Sequence, residues 1–154
     1  MTSLPAPRVP VRLGEREIAV WKRFLRAHAK TIRRLEADLL EAHSLPLASY
    51  DVLVQLVEAP ERRLRMTELA DAVMLSRSGL TRLVDRLERE GLVTREACES
   101  DARGLFAVLT DAGYERLRSA SGTHLRGVND YVISRLDESD LDALDGVLRK
   151  LLDD

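Results

Sequence analysis

Arg77, Ser78, Thr81 and Arg82 fall within six residues that contain no acid, and Ser76 stands just ahead of them. These residue types suit nucleic acid. A guanidinium forks onto guanine O6 and N7, a hydroxyl reaches phosphate or a base edge, and a helix N-terminus favours a phosphate. Arg86 and Arg89 follow, and with Asp85 and Glu88 counted the stretch Ser76–Arg89 keeps a net charge of +2. A second small group is Asp101 and Arg103. An arginine on a projecting ribbon can enter a narrow, electronegative minor groove, and a carboxylate two residues away is expected to hold its guanidinium. The plainer alternatives are a solvated helix face with an Asp85–Arg89 pair at i,i+4, and an ordinary hairpin turn.

Catalytic and metal chemistry find little support. His28, His43 and His124 lie far apart, with no His-x₃-His or Cys-x₂-Cys spacing, so no metal site or cofactor is expected. There is no Gly-rich phosphate loop, and no serine or cysteine nucleophile stands in a motif with a base. Cys98, the single cysteine, has Glu96 and Glu99 beside it. Neighbouring acids disfavour a thiolate, so redox sensing is not expected.

The arginine-bearing stretch needs a scaffold. Thr67 suits the N-cap of TELADAV, Ser76 that of RSGLTRLVDRLERE, and Gly91 the C′ position that ends it. Leu80, Leu83, Val84 and Leu87 form the face to bury, leaving the arginines outward. A short helix, a tight turn and a capped helix of about 14 residues make a helix-turn-helix. After Gly91 the period shortens to two. Val93–Ala97 and Leu105–Leu109 read as strands joined by the polar segment CESDARG, a β-wing.

Helices flank this unit. From Glu15 to His43, Trp21, Leu25, His28, Ile32, Leu35, Leu39 and Ala42 alternate spacings of four and three, a helix of roughly 42 Å that requires a long partner. Pro46 breaks it, and Ser49–Ala59 is a second helix stopped at Pro60. Thr110 caps a helix expected to reach Arg135. Asp137 or Ser139 opens a last one with Leu141, Leu144, Leu148 and Leu151 on one side. Pro5, Pro7 and Pro10 make residues 1–14 an expected flexible arm. The fold class is mainly α with a small β-wing.

Net charge is −2 and pI near 6.0, which alone argues against a general polyanion binder. Position removes the objection. Residues 1–43 hold nine basic and five acidic side chains, residues 61–103 nine of each, and residues 136–154 two basic and seven acidic. No apolar run approaches the roughly 20 residues that span a bilayer, and the opening MTSLPAPRVPVRL lacks a signal's apolar core. With no internal disulfide available, a cytoplasmic location is expected.

The stretch LRMTELADAVMLSRSGLTRLVDRLEREGLVTREACESDARGLFAVLTDAG resembles the winged-helix core of the MarR family of bacterial transcriptional regulators. The strongest pieces are SRSGLTRLVDRLEREGLV, Ser76–Val93, and the wing D-x-R followed by VLT-x-A-G, Asp101–Gly113. With the flanking helices the resemblance spans residues 15–152. It implies a homodimer in which 15–45 and 111–152 form a dimerisation bundle and 46–110 a DNA-reading lobe. Position by position it implies recognition-helix contacts from Ser76, Arg77, Ser78, Thr81, Arg82 and Arg86, and wing roles for Arg103 and Asp101. It further implies repression of a pseudo-palindromic operator, relieved by a small aromatic or phenolic ligand in a cleft lined by Trp21, His28 and Tyr50. The alternative is a winged helix serving protein interaction or small-molecule binding without sequence-specific DNA contact.

Overall fold

The computed structural model describes residues 11–153; Pro5, Pro7 and Pro10 of the expected arm lie outside them. The long stripe folds as α1, Glu15–His43, about 43 Å of continuous helix. It ends at Ser44, in the left-handed region, where Arg116 donates from Nη2 to the His43 carbonyl at 2.6 Å. A cation is favoured at that negative end of the helix dipole. Helix α2, Leu47–Glu58, starts two residues earlier than expected. Pro46 occupies its N-cap and offers no side-chain acceptor, so Glu36 of α1 supplies a carboxylate 2.5 Å from the Leu47 N–H.

A short 3₁₀ turn, Pro60–Arg62, leads into β1, Arg63–Arg65, and then α3, Met66–Ala72. Thr67 is therefore not the N-cap. The strand carries extended backbone as far as Arg65, the helix turns from there, and Glu68 reaches back to the Arg65 N–H at 3.1 Å. After a tight turn, α4 spans Arg77–Arg89 with Leu80, Leu83, Val84 and Leu87 buried.

The wing is longer and tighter than its sequence suggests. Strand β2 runs Val93–Cys98 and β3 Asp101–Leu109, so most of CESDARG lies within strands. The antiparallel register pairs Ala97 with Leu105 but Cys98 with Asp101. Residues 102–104 thus have no partners opposite and bulge from the ribbon. β1 adds on the other side of β3, giving the order β1-β3-β2.

Thr110 caps α5, Asp111–Tyr131, its Oγ1 accepting from the Gly113 N–H at 3.0 Å. The α-helix stops short of Arg135: Val132 leaves helical dihedrals and Ile133–Arg135 is a 3₁₀ turn. Adjacent β-branched residues are weak helix formers. Asp137 caps α6, Glu138–Leu152.

One continuous core joins these elements. Leu35 and Leu39 of α1 and Leu117 and Ala120 of α5 meet Tyr50, Leu53 and Leu56 of α2, which continue into the α4 face, Val93 and Ala107. The N-terminal half of α1 and all of α6 stay outside it. Trp21 is 55% exposed, Leu25 and Phe24 nearly as much, Leu151 63%, and α6 buries no residue.

Candidate nucleic-acid interface

Helix α4 is held at both ends by local hydrogen bonds. Ser76 Oγ accepts from the Gly79 N–H at 3.1 Å, and Ser78 Oγ lies 3.3 Å from Ser76 Oγ. At the other end Gly91 has φ +74°, with Gly91 N–H on the Glu88 carbonyl at 3.0 Å and Leu92 N–H on the Leu87 carbonyl at 2.9 Å. This is a Schellman closure, which glycine enters without a Cβ penalty. The helix is thus presented rigidly, its apolar face in the core.

Ser76, Arg77, Ser78, Thr81 and Arg82 are all exposed on its leading half. Thr81 Oγ1 donates back to the Arg77 carbonyl at 2.8 Å, which leaves the hydroxyl's lone pairs outward. Among the described residues Arg77, Arg82 and Arg89 enter no ion pair or side-chain hydrogen bond. Arg86 differs: its Nη2 donates to Ser49 Oγ at 3.1 Å, and Ser49 is buried at the start of α2. Its guanidinium is turned toward the start of α2, apart from the other three.

The wing stands across from this face. Between them opens a groove of about 500 Å³ whose lining includes Arg65, Thr67, Thr81, Arg95 and Arg103. Guanidinium groups along a groove suit phosphate oxygens, which they bind with charge-assisted hydrogen bonds. Asp101 does not act as its spacing suggested. Its Oδ1 accepts from the Arg103 backbone N–H at 3.0 Å, and no ion pair joins the two side chains. The carboxylate shapes the bulged main chain, and the guanidinium enters no ion pair among the described residues.

Two residues escaped the sequence reading. Arg65 ends β1, sends Nη2 to Ser100 Oγ at 3.3 Å and lies over the Phe106 ring. Arg95 of β2 folds onto α4, with Nη2 2.6 Å from Asp85 Oδ1 and Nη1 2.6 Å from Glu88 Oε2. The only hint of either was an arginine within or beside a strand-like run.

The residues expected to line a ligand cleft occupy separate environments within one chain. Trp21 packs on Phe24, ring centroids 6.0 Å apart, on the open half of α1, and His28 is exposed. Tyr50 is buried, 4.4 Å from the His124 ring, with its hydroxyl 3.4 Å from Ser121 Oγ. Burial lowers the His124 pKa, and its Nδ1 has no hydrogen-bond partner, nor has Arg116 Nε. Cys98 also departs from expectation. Its Sγ lies 3.2 Å from Ser100 Oγ, and that hydrogen bond pulls the thiol pKa down where the neighbouring acids had suggested otherwise. No group of histidine, cysteine and carboxylate side chains among the described residues could hold a metal, and no helix is long and apolar enough to cross a membrane.

The winged-helix geometry has close counterparts. Residues 43–104 match the family model described as MarR family. The structure of Sco3205 from Streptomyces coelicolor, a MarR family transcriptional regulator in complex with DNA, superposes with a TM-score of 0.88 at 40% identity, covering 93% of this chain and 90% of that one. The chain belongs to the MarR family. Another member from that organism, AbsC, gives a TM-score of 0.86 at 38% identity over 94% of this chain and 97% of its own. The transcriptional repressor MprA of Escherichia coli is 29% identical over 114 residues, 74% of this chain and 64% of the repressor's length. These MarR relatives are regulators of transcription, and the fold of this chain, mainly helical with a three-stranded antiparallel wing, superposes on the structures of Sco3205 and AbsC.

Proposed function

We propose that this MarR-family chain is a homodimeric DNA-binding repressor that reads a pseudo-palindromic operator through α4 and the wing. One observation carries the reading. Arg77 and Arg82 on the exposed, capped start of α4 enter no ion pair among the described residues, nor does Arg103, which lines the groove of about 500 Å³ between α4 and the wing, and a relative 40% identical to this chain is seen in complex with DNA. Ser76, Ser78 and Thr81 add hydroxyl contacts to the same face, Asp101 sets the backbone beneath Arg103, and Arg86 supports the helix from behind.

The exposed apolar residues of α1 and α6 support a second copy as partner, because a soluble monomer rarely leaves so much contiguous apolar helix surface uncovered. A two-fold dimer would place its recognition helices roughly 34 Å apart, one turn of duplex. Repression is supported by the relative named a repressor, and action in the cytoplasm accords with the lack of any membrane-spanning helix among the described residues. A small aromatic or phenolic ligand would bind in a cleft between the helical bundle and the DNA lobe lined by Trp21, His28 and Tyr50, which a second copy would have to bring together. A differential affinity of about 2–3 kcal/mol between the two helix spacings would release the operator 30- to 150-fold.

The test is selection of duplexes from a random pool by the native protein, followed by titration of the selected duplex with native and Arg82→Ala protein at two salt concentrations. Selected sites should be inverted repeats, affinity should fall steeply with salt, and Arg82→Ala should weaken binding. A pool that yields no enriched sequence would overturn the reading.

A further inference from the structure

Asp85 and Glu88 are the two acids on α4, and Asp85 lines the groove that also holds Thr81 and Arg103. Left alone, both carboxylates would repel a phosphate backbone seated there. Arg95 alters this from the neighbouring strand. Its fork reaches Asp85 Oδ1 and Glu88 Oε2, each at 2.6 Å, and the Thr81 carbonyl at 3.2 Å; its backbone N–H adds a bond to Glu88 Oε1 at 3.3 Å. The Arg95 side chain is only 18% exposed, while Asp85 and Glu88 remain 51% and 41% exposed, so the guanidinium is sheltered and the outer edges of the acids still meet water.

We infer that Arg95 is a positioning residue for DNA recognition: it offsets the charge of Asp85 and Glu88 beside the phosphate-facing groove and ties the wing to α4. The inference rests on the proposed reading of DNA through that helix. Its acceptors at positions 81, 85 and 88 lie on adjacent turns of one helix face. Spanning them takes a planar group with several fixed N–H donors, which arginine has and lysine lacks. One guanidinium offsets half the charge of the two carboxylates, so Arg77 and Arg82 meet the duplex with less local competition. The same contacts hold β2, and through it β3 and Arg103, at a set distance from α4.

Charge masking leaves a signature that a purely architectural role does not. Repulsion from unmasked surface carboxylates is screened by salt, whereas a misplaced wing loses contacts at every ionic strength. The duplex selected by the native protein serves as probe, with Arg95→Gln, Arg95→Lys and the triple variant Arg95→Gln/Asp85→Asn/Glu88→Gln, each checked for folding by circular dichroism. Arg95→Gln should lower affinity about tenfold at roughly 50 mM salt and markedly less at roughly 200 mM. Arg95→Lys should recover part of that loss, and the triple variant should return to within about threefold of native. The inference is overturned if Arg95→Gln binds as native does, or if its loss is equal at both salts and unrelieved by removing the acids. If the triple variant alone folds, native-like affinity in it supports the inference and a tenfold loss refutes it. Failure of Arg82→Ala to affect the same probe would overturn the reading of α4 itself, a separate result.

Discussion

Arg86 Nη2 donates to the Ser49 hydroxyl at 3.1 Å, joining the middle of α4 to the buried start of α2. That bond gives Arg86 a task different from Arg82, one turn earlier on the same helix. Arg86→Ala leaves a buried hydroxyl without its donor and should cost about 1–3 kcal/mol of stability, seen as a lowered urea midpoint. Its effect on binding to the selected duplex should be the smaller of the two.

Arg82→Ala is expected to show the opposite profile. The side chain has no partner among the described residues, so stability should stay within about 0.5 kcal/mol of native. Specific DNA affinity should fall by roughly 1–3 kcal/mol. Competitive titration against a duplex altered at single positions would locate the base it reads; an unchanged preference at every position would assign Arg82 to phosphate instead.

Two glycines separate backbone strain from collision. At Gly91 a Cβ meets nothing within 4 Å, but φ is +74°, so Gly91→Ala should cost about 1–2 kcal/mol through the left-handed conformation alone. At Gly113, at the start of α5, a Cβ would collide with the Leu92 carbonyl oxygen and lie 2.7 Å from Leu109 Cδ1. That site cannot relax without moving the strand, so Gly113→Ala should destabilise by about 3 kcal/mol. Denaturant unfolding of the two variants side by side gives the order.

Stability should fall as pH drops below neutrality, and His124 should be one cause. Burial lowers its folded-state pKa. The unfolded chain therefore takes up the proton first as pH falls through about 6.5. The contribution is present above that pH and is lost as pH falls toward the folded value. His124→Phe keeps a ring against Tyr50 and removes the titration, so its Tm should vary less than native between pH 8 and 5.5. Asp51, raised by burial and by Glu36, works in the other direction in more acidic solution, which is why the comparison is native against variant. Parallel Tm curves would show that His124 is not the group responsible.

Leu148 and Leu151 lie on the open face of α6. If that face meets a second copy, the native chain should sediment as a dimer at micromolar concentration and Leu148→Glu/Leu151→Glu should yield a monomer. A native chain that is itself monomeric would remove the two-fold half of the proposed function.

Periodic apolar residues made the helices legible from the sequence. α1 has the bounds its stripe implied, because seven apolar or aromatic positions repeat over three heptads and proline follows. Ser76, Gly91, Thr110 and Asp137 act as the caps their side chains suggested. The wing was harder to read. Glu99, Ser100, Asp101 and Arg103 are exposed at the tip of the ribbon, so the alternation that marks a strand disappears there. Strand β1 is three residues long and paired on one side only, too short for any period. At the candidate site, helical spacing separated the exposed arginines from the core face. It could not tell that Arg86 would meet α2 or that Arg95 would meet α4, since both contacts cross between elements 10 to 37 positions apart in the chain.

The strand order β1-β3-β2 sets how the wing can move. β3 is hydrogen-bonded along Phe106–Val108 to a strand on each side, and β1 runs straight into α3. The ribbon is therefore a cantilever clamped at its root, with only the part beyond Ala97 and Leu105 overhanging. A clamped beam that short delivers Arg103 at a constant offset from Arg82. Inserting a single base pair between the positions they contact should abolish the wing's share of binding, where a hinged loop would simply have followed.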